Sequence, residues 1–415
     1  MKNIVSILII LTILFSCKQN SEIKKNNERD FTAINDTLTK DLQKAFEKGA
    51  IIGFSVSVVD ENGVVYENGF GYRDIELEKK YTPNTTQNIA SISKTLIGVS
   101  LLKAQELGKL NLDDPINKYL PFKITNPNYP DKPILIKHLA YHSSSIIDVD
   151  EVYAKSYVLK KSKHNDNEGV YDWFSMPEKR ISLIEFLNNS LTENGKWYTK
   201  EIFANIEPGV MRKYSNIGAA LCAQIIEYAT GQDYQSFTKD YILQPLKMTS
   251  SGWSSKDIDT TKRSRLFANK EMLIAEYSLI TYADGGFITS NNDLGLFLTE
   301  LMKGYKGSGT LLNKESYTKL FKKQKFPNVE TEQEFGIFME FSKEFIKIKD
   351  DVIGHNGSDP GVMTAMYFNP KTETGKILLV NTDSDFNENF WPEVASIWNS
   401  LIKYETELNS GKASR

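Results

Sequence analysis

Residues 91–108 read SISKTLIGVSLLKAQELG. Gly98 is the only interruption before the closing glycine, there is no proline, and Leu96, Val99, Leu102 and Leu107 recur at helical spacing, so the stretch predicts an apolar-faced helix beginning near Ser91. Upstream, Leu38, Leu42 and Phe46 predict a helix over 38–50. Gly53–Val59 and Val64–Phe70 flank an Asp60-Glu61-Asn62-Gly63 turn and predict a β-hairpin. Downstream, residues 110–275 read as mainly helical, with segments at Ile136–His142, Ser182–Asn189, Asn216–Thr230 and Tyr234–Leu246. Strand signals return at Gly336–Phe341, Phe345–Ile348, Val362–Phe368 and Lys376–Val380, before a last amphipathic helix over Trp391–Tyr404. Strands, then helices, then strands predict an α/β (α+β) fold. Its antiparallel sheet, about 34–90 plus 275–405, is flanked by helices, with a mainly helical part, about 91–275, inserted between the chain ends. Residues 159–170 read as a surface loop and 406–415 as a frayed tail.

The chain has 415 residues, 40% hydrophobic and 25% charged, within ordinary globular usage. Collagen-like, low-complexity and wholly disordered architectures are excluded. Fifty Lys and Arg against 53 Asp and Glu leave a net charge of −3, without the basic excess that phosphate neutralisation requires, so no nucleic-acid partner is expected. Two cysteines cannot form a disulfide framework, and the four histidines show no zinc-ligand spacing. His138 and His142 lie one helical turn apart but lack a third ligand, and ordinary packing is the expectation. No metal or cofactor is called for.

The first 17 residues, MKNIVSILIILTILFSC, place Lys2 ahead of an apolar run, Ile4–Phe15, that is shorter than the ~20 residues of a membrane span. This reads as a removable signal, and Leu14-Phe15-Ser16-Cys17 resembles a bacterial lipobox, which makes Cys17 a lipidation site. Polar residues 18–33 would form a tether. These features predict a bacterial envelope protein held to a membrane by its lipid. Cys222, within an apolar helical run, reads as a buried, inert thiol.

Three short patterns carry chemistry. Ser91-Ile92-Ser93-Lys94 opens the helix quoted above, and a residue three positions on lies on the same face, so Lys94 can reach the Ser91 hydroxyl. Serine needs such a neighbour, since its hydroxyl is a weak nucleophile until a base takes its proton. Ser-x-x-Lys at Ser21 and Ser316 opens no comparable helix. Tyr214-Ser215-Asn216 stands on a loop leading into a helix, with the Asn216 amide offering donor and acceptor. Tyr66 and Tyr367 begin the same triplet inside strand-like segments. His355-Asn356-Gly357 is the only His-x-Gly, and Ser358-Asp359-Pro360-Gly361 after it reads as a turn.

In that order the three patterns resemble the penicillin-recognising serine hydrolases: class C β-lactamases, related D-alanyl-D-alanine carboxypeptidases, D-aminopeptidases and esterases. Segments at 110–121, 134–145, 208–221, 244–248, 284–293 and 354–361 resemble family segments in the expected order, and the likeness covers roughly residues 34–400. The resemblance implies that Ser91 attacks a carbonyl carbon to give an acyl-enzyme, with Lys94 and Tyr214 handling its proton. It implies that the Ser91 and Ser358 backbone N–H groups hold the oxyanion, and that Asn216, His355, Gly357 and Ser358 line the substrate, a small molecule or peptide. A free Lys (~10.4) and a free Tyr (~10) are poor bases at neutral pH, so each must be tuned by the other and by burial. His355 stands where many class C β-lactamases carry Lys, which tilts the expectation toward a peptidase or esterase. Ser143-Ser144-Ser145 replaces the usual Thr-Ser-Gly. The rival readings are a penicillin-binding sensor, or a non-catalytic binding protein on the same fold, and a purely structural lipoprotein.

Overall fold

The computed structural model describes residues 31–163, 168–169, 171–327 and 334–413, so Cys17 and its flanks lie outside the described residues. Its frame is an eight-stranded, fully antiparallel sheet. Numbering only its strands, these are β1 (Gly53–Asp60), β2 (Gly63–Asp74), β3 (Lys79–Lys80), β4 (Glu334–Gly336), β5 (Met339–Phe345), β6 (Ile348–Asp359), β7 (Val362–Asn369) and β8 (Thr374–Val380), in the order β4-β5-β6-β7-β8-β1-β2-β3. The β1–β8 pairing, with Phe54 opposite Val380 and Val59 opposite Gly375, joins the two chain ends at the middle of the sheet. The inserted region is thereby forced out to one side.

Two layers of apolar side chains hold the sheet. On one face, α1 (Thr32–Phe46) and the C-terminal helix α6 (Phe390–Ala413) bring Leu38, Leu42, Val394, Trp398 and Leu401 against Phe54, Val56, Tyr367 and Leu378. On the other, α2 (Ser93–Glu106), α3 (Leu183–Leu191), α4 (Asn216–Thr230) and α5 (Asn291–Lys306) enclose the larger core around Leu96, Leu101, Phe186, Leu221 and Phe297. At roughly 25 cal/mol per Å2 of apolar surface, each such aliphatic or aromatic side chain contributes about 1.5–3 kcal/mol by leaving water.

The expected helix over Asn216–Thr230 forms with those bounds, capped by Ser215 at one end and by left-handed Gly231 at the other. Several expectations differ, among them the strand expected over Gly336–Phe341, which a turn at Ile337 and Phe338 divides between β4 and β5. The first helix starts at Thr32, inside the stretch read as tether, where Ile34 continues the Leu38 and Leu42 spacing one turn upstream, and it ends at Phe46 rather than at 50. Phe345–Ile348 is not a strand but the hairpin turn between β5 and β6, with Ile346 and Lys347 at positive φ. Ser358 and Asp359 are not a turn: β6 runs through the whole His355-Asn356-Gly357-Ser358 stretch, which polar residues had disguised. The last helix extends to Ala413, since Glu405 is drawn inward to bond Thr372 and Lys376, so the tail from 406 is helical. The middle region is also less helical than its pattern suggests. Tyr157–Leu159 pairs with Tyr277–Leu279, and Glu168–Gly169 pairs with Leu273–Ile274, inside the stretch read as loop.

Candidate active site

Ser91 lies in a single 3₁₀ turn, Ala90–Ile92, immediately before α2. The turn is sharp: Ala90, fully buried, adopts φ +47°. A left-handed non-glycine residue costs about 1–2 kcal/mol, and here it swings Ser91 out of the helix core to face the sheet. From the first turn of α2, Lys94 sends its Nζ to Ser91 Oγ at 2.9 Å and to the Asp284 backbone carbonyl at 2.7 Å. Tyr214, just before α4, donates its hydroxyl to the same Oγ at 2.9 Å. A neighbour three residues on and a tyrosine 123 residues away thus converge on one oxygen.

Strand β6 closes the group. Its pairing with β5 ends at Gly354, and from His355 to Asp359 only β7 is its partner, so the other edge of that segment is left toward Ser91. A Cβ on Gly357 would sit 2.6 Å from the Ser91 nitrogen and 2.8 Å from the Ile89 carbonyl oxygen. Only glycine allows the strand this close to the Ser91 backbone. Ser358 is exposed. His355 is buried at 3% exposure, its ring 6.2 Å from that of Tyr214. Burial holds the His355 imidazole below its ordinary pKa, against the pull of Glu340 and with the help of Lys94. It therefore stands behind the phenol as a neutral ring. Asn216 begins α4, partly exposed, and its side-chain amide bonds to none of the described residues.

The electrostatics of Lys94 and Tyr214 run opposite to what a ready base requires. Burial raises the Tyr214 phenol, and Lys94 only partly counters it. Burial would lower the Lys94 ammonium, but Tyr214, Asp284 and Asp359 outweigh it and hold it above its ordinary value. The resting site is a neutral phenol and an ammonium around a neutral hydroxyl.

Four contributors carried no role in the sequence reading. His142, read as packing, stacks on Tyr214 with ring centroids 4.4 Å apart, and its Nδ1 accepts from the Ser215 N–H at 3.2 Å. Burial first, then Arg212 and Lys94, hold it well below its ordinary pKa and so neutral. Asp148 caps α4: its carboxylate accepts from Asn216 N at 2.7 Å, Ile217 N at 3.0 Å and Ser215 Oγ at 2.9 Å. Asp284, fully buried, and Asp359, half-buried, both act on Lys94 and accept hydrogen bonds from Tyr153 at 3.0 Å and Tyr157 at 2.6 Å respectively. Burial pushes their carboxyls up to about 7 and about 6 respectively. Asp148, Tyr153 and Tyr157 come from the segment 146–207, whose sequence carries no readable motif. Ser145, where the family usually has glycine, takes φ +65° itself. His138 lies apart from this group, its Nδ1 accepting from Leu135 N at 3.2 Å. Cys222 is buried, and burial raises its thiol pKa.

A serine held between a lysine and a tyrosine, at the junction of an antiparallel sheet and a helical region, is the arrangement expected from the resemblance to the penicillin-recognising serine hydrolases. The family model described as Beta-lactamase matches residues 34–395, and the chain belongs to that family. It is similar to Protein flp of Staphylococcus aureus (strain COL), 24% identical over 349 residues, covering 83% of this chain and 62% of that one. It is also similar to the human mitochondrial serine beta-lactamase-like protein LACTB, 27% identical over 307 residues, covering 62% of this chain and 54% of that one. The chain thus spans less than two thirds of the length of these curated relatives. Among solved structures, an octameric penicillin-binding protein homologue from Pyrococcus abyssi superposes with TM-score 0.67 at 25% identity, covering 88% of this chain and 76% of that one. A class C beta-lactamase superposes with TM-score 0.64 at 17% identity, covering 90% and 97%, and shares the fold.

Proposed function

We propose that the protein is an envelope-anchored serine hydrolase that forms an acyl-enzyme on Ser91 and acts on an amide or ester, such as a D-amino-acid peptide, a β-lactam or a small ester. The observation that carries this reading is the double contact on Ser91 Oγ, from Lys94 and Tyr214. With both partners protonated at rest, the phenol oxygen keeps a lone pair for the Ser91 proton while its own proton passes to the leaving group. A C–Oγ bond forms, the C–N or C–O bond of the substrate breaks, and the count of protons is unchanged. The Lys94 ammonium stabilises negative charge on Oγ and on the phenol oxygen during the transfer. Water then releases the acyl group by the same path in reverse.

The test is intact-mass analysis after a fluorophosphonate or labelled β-lactam, with native protein and Ser91→Ala. One adduct on native protein, absent from the variant, supports the reading; an adduct persisting on Ser91→Ala sinks it. Turnover of the β-lactam indicates an enzyme, whereas a permanent adduct would favour a sensor. The anchor is tested separately: Cys17→Ser should release the protein from membranes or leave a precursor, and equal membrane association would require another anchor. Among the described residues no helix is long and apolar enough to cross a membrane.

A further inference from the structure

A second cleft, of about 400 Å3, is lined in part by residues of the segment 277–288. None of Ser91, Lys94 and Tyr214 lines it, and neither does any Asp or Glu. Its polar wall consists of three cations, Lys160, Arg180 and Arg263, with serine hydroxyls and the Asn88 and Gln235 amides among them. Such a composition is unusual for a chain whose acids outnumber its bases.

The three cations are poorly matched within the protein. Arg180 donates to the Ser278 hydroxyl, Lys160 reaches Ser255 Oγ only at 3.4 Å, and Arg263 Nη2 reaches Asn88 Oδ1 only at 3.4 Å. Arg263 Nη1 is buried with no hydrogen-bond partner. Glu276 acts on Lys160 and Arg263 through space, yet none of the three cations forms an ion pair among the described residues. A buried guanidinium nitrogen without an acceptor costs free energy, and like charges around one cleft add to it. A ligand carrying two or more anionic oxygens removes both costs, because a guanidinium presents parallel donors that match a carboxylate or phosphate.

We propose that this cleft is a binding site for a small multiply charged oxyanion, a phosphate or a dicarboxylate, separate from the Ser91 centre. Arg263 supplies the floor, and Lys160 and Arg180, both exposed, close over the mouth. The two sites share one wall. Asn88 Nδ2 donates to the Tyr277 hydroxyl at 3.3 Å, and that hydroxyl donates to the Pro360 carbonyl at 3.0 Å, next to Asp359. The proposal does not depend on the hydrolase reading.

The experiment is calorimetric titration of the full chain with inorganic phosphate and, separately, succinate, against sodium chloride at matched ionic strength. The same titrations are made on the Lys160→Gln/Arg180→Gln double variant, with thermal unfolding to show that it is folded. These two side chains are chosen because replacing Arg263 risks the fold. Saturable one-site binding of at least one anion to native protein, weakened about 10-fold or more in the folded double variant, is the expected result. The stronger of the two anions identifies the group recognised. Absence of saturable binding by both anions up to about 10 mM, or equal affinity in native and variant protein, overturns the proposal.

Discussion

Lys94 and Lys376 are both fully buried, and they are opposites. Lys376, on β8, lies between two carboxylates that are themselves only 4% exposed: Asp350 at 3.0 Å and Glu405, closer still. Asp350 in turn accepts from Trp398 Nε1 at 3.2 Å, which ties β6, β8 and α6 together. Lys94 touches only neutral oxygens directly, a hydroxyl and a backbone carbonyl, and its acids stand one layer further away. A lysine matched charge for charge holds a structure in place. One bonded to neutral groups keeps a proton and a field that a reaction can use. The difference is not in the degree of burial but in what the ammonium is bonded to.

The largest effect expected from breaking this contrast is on stability. Lys376→Met leaves Asp350 and Glu405 buried without their cation and should lose about 3–5 kcal/mol in urea unfolding, with kcat of whatever remains folded little changed. A loss under about 1 kcal/mol would show that the two acids neutralise themselves by taking up protons.

Lys94→Met should do the reverse. Activity should fall ~100-fold or more, equivalent to about 2.7 kcal/mol of transition-state stabilisation. At pH 6, where Asp284 and Asp359 can take up protons, stability should stay within about 1 kcal/mol of native. Tyr214→Phe should cost activity similarly, and the double variant should lose far less than the product of the two, because both groups serve one proton path. Full multiplicativity would place them in separate steps.

Asp284 sharpens the comparison through pH. Its carboxyl is pushed from 3.8 up to about 7 in the folded protein. Between pH 4 and 7 the unfolded chain has therefore released a proton that the native state retains, and stability falls as pH rises through that window. Measured from pH 4.5 to 8, native protein should lose roughly 3 kcal/mol more than Asp284→Asn. Identical slopes would mean that the Lys94 charge fully compensates the buried acid.

The smallest effect calibrates the others. Lys403 meets Asp41 at 2.9 Å, as close as the buried contacts, but on the exposed surface between α6 and α1. Lys403→Ala should leave the urea midpoint unchanged within error, because exposed ion pairs are screened by water and salt. A clear loss would mean that the two helices depend on this pair for docking.

What the linear chain determined is what depends on neighbours along it. The Ser91–Lys94 pair was readable because three residues of helix bring two side chains to one face, and α4 because its cap, apolar face and closing glycine are all local. The strand–helix–strand order followed from period alone, and the family likeness from three ordered patterns. What only the tertiary structure decided needs contacts between distant segments. Strand β6 reads as polar because His355 and Asp350 face interior partners rather than solvent, so it becomes a strand only when β7 pairs with it. His142 reads as a packing residue at the end of a helix, whereas the helix stops at Ala140 and Tyr214 stacks on the His142 ring from 72 positions away; Asp148 is an ordinary acid until α4 presents its N–H groups. The charge state of Lys94 likewise depends on Asp284 and Asp359, some 190 and 265 residues on. Hydropathy and spacing report a residue's own preference for water, whereas proton affinity inside a protein is set by which charges folding places beside it.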